Sequence, residues 1–270
     1  MKAEGNIRKM HVEIGEPVQY HLPLYQNLKK GELIDMTSLV GKDISIQFDG
    51  QINCAATGKA INKTFGEGLS YDAWRNNPQA VESIIHPELD QSHLGIGIRD
   101  LDWERDRHAK PHFVYLALTS NMKVGVTKGS SIPSRWIDQG ARKVMKFAET
   151  PYRQKAGEIE VELKAHISDK TNWRKMLTDE RGVVDFTSER KRLKDLLPVH
   201  LKQYVLPVDD ILEIKYPVLA YPEKVKSIKL DTTPTIVSKL HGIRGQYLLL
   251  DEGEVINLRR HAGYSIKIEA

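Results

Sequence analysis

Between His112 and Thr127 the chain reads His-Phe-Val-Tyr-Leu-Ala-Leu, then Thr-Ser-Asn, then Met-Lys-Val-Gly-Val-Thr. Two β-branched and aromatic runs flank three polar turn formers, a pattern that predicts a β-hairpin. Downstream the period changes. From Ala156 to Ile167 the apolar residues Ala156, Ile159, Leu163 and Ile167 fall on one helical stripe. Glu158 and Glu162 point away from that stripe, whereas Glu160 stands on its edge, where a carboxylate is costly unless it is paired or binds a cation.

Trp136, Gly140, Val144, Phe147 and Ala148 also fit one helical face, with Arg135, Gln139, Arg142 and Lys146 opposite, so a helix is expected after Pro133. Thr187–Leu197 predicts another, capped near Ser188 and stopped before Pro198. Trp173–Leu177 continues or follows the Glu160 helix. Alternation at Ile44, Ile46 and Phe48 gives a strand, and Asp49-Gly50 reads as a hairpin turn into Gln51–Cys54. Strands are also expected at 225–230, 246–250, 255–258 and 264–268. Residues 1 to 40 carry few strong signals, and residues 54 to 110 read as loops and short turns.

These elements predict an α+β protein. A small sheet with helices is joined to an antiparallel barrel-like or curled-sheet domain of N- and C-terminal strands, with the central unit inserted into it. The expected divisions are 1–54, an N-terminal β segment; 55–110, loop-rich; 111–200, the central unit; and 201–270, a C-terminal β domain.

Composition adds three constraints. At 270 residues, 40% hydrophobic and 28% charged, the chain is ordinary for a globular protein. No apolar run is long enough to span a bilayer and the N-terminus has no signal-peptide core, so no membrane partner is expected. Cys54 is the single cysteine, which excludes an intramolecular disulfide and makes a cytoplasmic setting the default. The net charge of +4 conceals an asymmetry: residues 110–200 carry +7 and the remainder −3. Positive charge gathered around Arg142, Lys143, Lys146, Arg153 and Arg174 suits a nucleic acid. A solvated face gives the same sequence.

The ordered set Tyr115, Lys123-Val-Gly125, Arg135, Glu160 with Leu163, and Asn172 resembles the GIY-YIG nuclease domain. That resemblance implies a catalytic group of Tyr115, Lys123, Arg135, Glu160 and Asn172. Tyr115 would orient water, Arg135 clamp a phosphate oxygen, Glu160 hold one Mg²⁺ or Mn²⁺, and Asn172 fix the site. Lys123 stands where a second tyrosine is usual, which admits binding without catalysis as an alternative, alongside a protein-interaction domain.

Over nearly its whole length the chain also resembles an uncharacterised bacterial family, domain of unknown function 2797. The matching words are Thr64-Phe-Gly-Glu-Gly68, His86-Pro-Glu-Leu89, Pro111–Ala117, Lys123–Thr127, Arg135–Ala141, Asp169–Arg174 and Gly245–Leu248. The resemblance implies a zinc ribbon in the loop-rich region. Here Cys54-Ala-Ala-Thr57 lacks the second thiol and Ser70-Tyr-Asp-Ala73 has none, so a degenerate site without zinc is expected. His86, His93, His108 and His112 are candidate substitutes whose spacing matches no motif. Packing of Phe65, Tyr71 and Trp74 is the alternative way to hold these loops.

Overall fold

A computed structural model describes residues 1–26, 28–180, 182, 184–207 and 210–270. The chain divides into two compact units. Met1–Asn77, Leu177–Asp179 and Ile214–Ala270 form the first, and Pro78–Met176 with Glu180–Glu213 the second.

Along the chain come β1 (Lys2–Ile7), β2 (His11–Glu13), β3 (Gln19–Gln26), β4 (Lys29–Asp35), β5 (Asp43–Asn53), β6 (Ala60–Ile61) and α1 (Tyr71–Arg75). They are followed by α2 (Leu101–His108), β7 (His112–Leu118), β8 (Met122–Lys128), α3 (Ser134–Asp138), β9 (Lys143–Thr150) and α4 (Arg153–Lys164). Then come α5 (Trp173–Leu177), α6 (Phe186–Leu196), α7 (Val199–Lys202) and β10 (Ile211–Glu213). The chain closes with β11 (Lys226–Ser227), β12 (Thr235–Lys239), β13 (Gly242–Arg244), β14 (Tyr247–Leu249), β15 (Glu254–Asn257) and β16 (Tyr264–Glu269). The fold is α+β.

In the first unit both termini enter one sheet of order β12-β5-β16-β1-β3-β2, with β4 on β3 and β6 on β5. Of the barrel and the open curled sheet that the sequence allows, the sheet does not close into the barrel. Its eight strands include the four from residues 1–40, a region whose hydrophobic pattern was too weak to announce them. His21-Leu-Pro-Leu-Tyr25 lies inside β3, where Leu22, Pro23 and Leu24 are all buried, so no alternation is visible. A second sheet runs β11-β15-β14-β13, with β11 parallel to β15.

The hairpin expected at Asp49-Gly50 is absent. β5 runs straight through it because β16 spans both halves, pairing Tyr264 with Ile52 and Ile266 with Phe48 across a register shift. Gly50 takes a left-handed φ of +88°, and Asp49 accepts from the Gln51 amide and the Ser265 hydroxyl. The Asp-Gly pair makes an irregularity within a strand instead of reversing it.

In the second unit the antiparallel sheet has the order β10-β9-β7-β8. Val114, Leu116, Leu118, Met122 and Val124 fill one face, packing with Ala156, Ile159 and Leu163 of α4 and with Phe186, Leu193, Leu197 and Leu201 of α6 and α7. The N-cap of α6 is Asp185, whose carboxylate takes the Thr187 amide and the Ser188 hydroxyl; Ser188 is not the cap. The long helix expected after Pro133 is corrected as well. Only Ser134–Asp138 is helical; Gly140 turns with φ +70°, and Lys143–Thr150 is a strand. Pairing with both β7 and β10 overrides the helical spacing of Val144, Phe147 and Ala148.

Candidate functional site

The two faces of the β7–β8 hairpin differ. Tyr115 pairs with Gly125 and Ala117 with Lys123. Alternation therefore puts Tyr115, Lys123 and Gly125 on the face opposite Val114, Leu116 and Val124. Gly125 is required there: a Cβ on it would lie 2.5 Å from the Tyr115 hydroxyl, so the phenol lies flat across the glycine. α3 covers this face. Trp136 meets the Tyr115 ring edge-on at 6.1 Å, and Gln139 presents its amide to the hydroxyl, with Nε2 donating at 2.9 Å and Oε1 accepting at 3.1 Å.

Tyr115 is 1% exposed, Lys123 7% and Glu160 8%. Burial pushes the Tyr115 phenol above its ordinary value; the Glu160 charge adds to that, and Arg135 and Gln139 oppose it. Burial also brings the Lys123 ammonium down to about 8, helped by Arg135 and opposed by Asp169 and Glu160. The Glu160 carboxyl is raised by burial against the charge of Lys164, with Asp169 raising it further and Arg153 lowering it. Lys164 bridges the two acids, 3.3 Å from Glu160 and 3.7 Å from Asp169.

Arg135 and Glu160 therefore act on the same three groups, Tyr115, Lys123 and Arg153. Arg135 of α3 and Glu160 of α4 thus each act on Tyr115 of β7 and on Lys123 of β8. Displaced ionisation of buried groups in one place is a mark of functional sites, though structural ion pairs produce it too.

The other candidates stand differently. Asn172 is exposed and caps α5, its Oδ1 accepting from the Lys175 amide. Arg153 is held inside: its guanidinium donates to the carbonyls of Ser83 and Ile84. Lys143 pairs with Glu213 at 2.6 Å, and Arg142 is half-buried before β9. Lys146 is exposed over the Phe113 ring and Arg174 over Trp173. Arg135 lies in α3, Gln139 at its end, Arg142 in a bend and Lys146 in β9, so the helical stripe read for those four residues does not exist.

Gln139, Lys164 and Asp169 belong with the site and were not singled out. The four-residue spacing of Glu160 and Lys164 was a visible signal for one of them. Nothing local flagged Asp169, which arrives because Lys123 bridges Ser168 in parallel register.

In the loop-rich region Cys54 is a buried free thiol. Burial pushes it up, but hydrogen bonds from Thr57, Ser70 and the Ala56 amide outweigh that and bring it to about 6. Phe65, Tyr71 and Trp74 pack against one another, with centroids 5.3 to 6.2 Å apart. The four histidines have separate partners. His108 meets Asp90 at 2.5 Å, His86 meets Glu88 at 3.2 Å, His93 stacks on Tyr152, and His112 bonds the Lys110 carbonyl. Among the described residues no three His, Cys, Asp or Glu side chains gather as a metal site, and no helix is long and apolar enough to cross a membrane. A shallow polar cleft of about 340 Å³, lined by Glu4, Asn6, Tyr25, Asp49 and Asn53, lies in the other unit. Asn6 donates to Asn53 and to the Gly263 carbonyl, Asn53 donates to the Gly58 carbonyl, Asp49 accepts from the Ser265 hydroxyl, and the cleft holds none of the titratable groups above.

An antiparallel sheet with Tyr115 and Lys123 buried on the face under α3, both under the electrostatic influence of the exposed Arg135 and of Glu160 from α4, defines the class of protein: α+β, with a polar site in its second unit. A family model described as Protein of unknown function (DUF2797) matches residues 41–266, and the chain belongs to that family. No curated protein and no solved structure matches it.

Proposed function

We propose that the second unit is a GIY-YIG-like nuclease domain that hydrolyses nucleic-acid phosphodiesters. The observation that carries this reading is the shared influence of Arg135 and Glu160 on Tyr115 and Lys123. Phosphodiester hydrolysis needs an oriented water, charge stabilisation on the phosphate and help for the leaving oxygen. In this reading the Tyr115 hydroxyl, steered by Gln139, aligns the water. Arg135 presents a planar fork to a non-bridging phosphate oxygen. Lys123 adds a second cation from the neighbouring strand.

Glu160 offers one desolvated carboxylate whose present counterion is Lys164. That is compatible with Mg²⁺ or Mn²⁺, which commonly take one or two carboxylates together with substrate phosphate oxygens. When bound, such an ion would neutralise charge developing on the phosphate. Glu160 would hold the ion, and Lys164, already within 3.7 Å of Asp169, would retain that carboxylate as its counter-charge.

The test is a panel of single-stranded, duplex and branched oligonucleotides, each with Mg²⁺ or Mn²⁺. Wild type should cleave at least one, and Glu160→Ala should lose at least 100-fold in rate, an effect of the size expected for removing a principal electrostatic group. Identical traces from the two proteins would sink the catalytic claim.

Non-catalytic nucleic-acid binding is favoured by two observations: Lys123 in place of a second tyrosine, and the pairing of Glu160 with Lys164. That reading expects retention that weakens steeply with salt, is indifferent to Glu160→Ala, and is reduced by Lys146→Glu and Arg174→Glu.

A further inference from the structure

Lys123 has a feature that phosphate hydrolysis does not use. Its stem is buried, and among the described residues its ammonium has neither a hydrogen bond nor an ion pair. Its Nζ is also missing from the sealed, unpartnered polar atoms of the interior, such as Trp136 Nε1 and Ser83 Oγ, so the tip meets solvent while the stem does not. The charged groups facing it are Arg135 from α3, Glu160 from α4 and Asp169 from the segment after α4. No ion pair within 4 Å joins it to either acid. A desolvated lysine beside a second cation is the arrangement that makes an amine nucleophilic toward carbonyl carbon.

We propose that Lys123 is a Schiff-base nucleophile for an aldehyde carried next to a phosphodiester, the ring-opened sugar of an abasic site in DNA. The proposal rests on the reading of this face as a nucleic-acid site and names a second activity there, strand scission by β-elimination. The neutral Nζ attacks the C1′ aldehyde carbon, and loss of water leaves an iminium. The C2′ proton passes to the Glu160 carboxylate, the C2′–C3′ double bond forms, and the C3′–O bond breaks with its electron pair leaving on the 3′ phosphate beside Arg135. Water then hydrolyses the iminium, returning the free amine and an unsaturated aldehyde. No oxidant or metal is consumed. The fall of the Lys123 ammonium to about 8 supplies free amine near neutral pH.

The experiment incubates the full chain with an oligonucleotide carrying one abasic site, in EDTA with sodium cyanoborohydride, and resolves protein–DNA adducts on a denaturing gel. Wild type should give an adduct whose tryptic peptide maps to Lys123. Lys123→Arg, which keeps the charge but not the available lone pair, should lower adduct yield at least tenfold. Glu160→Gln should still trap the iminium while strand scission falls. Mapping in wild type keeps the test decisive even if a Lys123 variant folds poorly. An adduct on another amine, or one undiminished in folded Lys123→Arg, overturns the proposal. Wild type that retains the oligonucleotide at low salt without forming an adduct overturns this inference alone, whereas no retention and no cleavage of any nucleic acid overturns the nuclease reading with it.

Discussion

The hairpin of β7 and β8 has two faces built from alternate residues of the same sixteen, and they obey different rules. On one, Val114, Leu116, Leu118, Met122 and Val124 meet α4 in a close-packed interior. On the other, Tyr115 and Lys123 are buried just as deeply, yet one leans on a bare glycine and the other holds a charge without a partner. The first face is optimised for stability. The second tolerates a desolvated cation, a cost usually kept only where chemistry or recognition needs it.

Opposite responses to substitution should separate the two faces. The largest effect is expected from Leu116→Ala, which opens a cavity under α4 and should destabilise by about 2–5 kcal/mol in chemical denaturation. A loss under about 1 kcal/mol would mean that the apolar face is not the principal core of this unit.

Lys123→Met should do the reverse. At neutral pH the wild type holds an ammonium where burial disfavours it, so an apolar side chain of similar length should stabilise, by up to about 3 kcal/mol. The sign follows from the lowered value: between about 8 and 10.5 the unfolded lysine binds more proton than the folded one, so wild-type stability rises with pH there. The advantage of Lys123→Met should shrink over that window. A constant gap from pH 7 to 10.5 would show that the ammonium is well solvated.

His112 is the titratable exception on the apolar face, brought down to about 4 mainly by burial. Unlike Lys123 it is a base held neutral through this range, so stability should fall as pH drops from 6.5 toward 4, by an amount approaching 3 kcal/mol. His112→Gln should flatten that limb of the pH profile measured by thermal melting. An unchanged profile would shift responsibility to other groups, His261 among them, which burial also lowers.

Gly125→Ala adds one methyl where the phenol of Tyr115 lies, and overpacking of that kind costs about 1–3 kcal/mol. Paired with Tyr115→Ala it should cost less than alone, because the ring it collides with is gone. Additive losses would contradict the close packing of ring on glycine.

The same contrast explains what was legible in the sequence. The hairpin, the Glu160 helix and α6 announced themselves because each buries a periodic apolar face. The four N-terminal strands did not, since β4 is exposed almost throughout and β3 is buried at consecutive positions. The order of Tyr115, Lys123, Arg135 and Glu160 along the chain was readable through a resemblance. Their electrostatic influence on one another needed the short α3, which helical spacing past Gly140 concealed. Asp169 and Gln139 enter through a parallel bridge and a helix end, features set by tertiary pairing and invisible to any local period.

The smallest change in stability, and the sharpest division of the two faces, is expected from Tyr115→Phe. The ring keeps its contact with Gly125 and Trp136, so the packing survives and only the hydroxyl's two hydrogen bonds with Gln139 are lost, together worth about 1 kcal/mol. Gln139 is half-buried and can turn to water, which keeps the loss at the low end. A face built for stability would register nothing further. If the hydroxyl aligns water for hydrolysis, cleavage in the oligonucleotide panel should fall by about 100-fold or more while the melting temperature moves by only a few degrees. Cleavage equal to wild type would remove Tyr115 from the chemistry, and with Arg135 and Glu160 intact it would transfer the task of handling the water to Lys123.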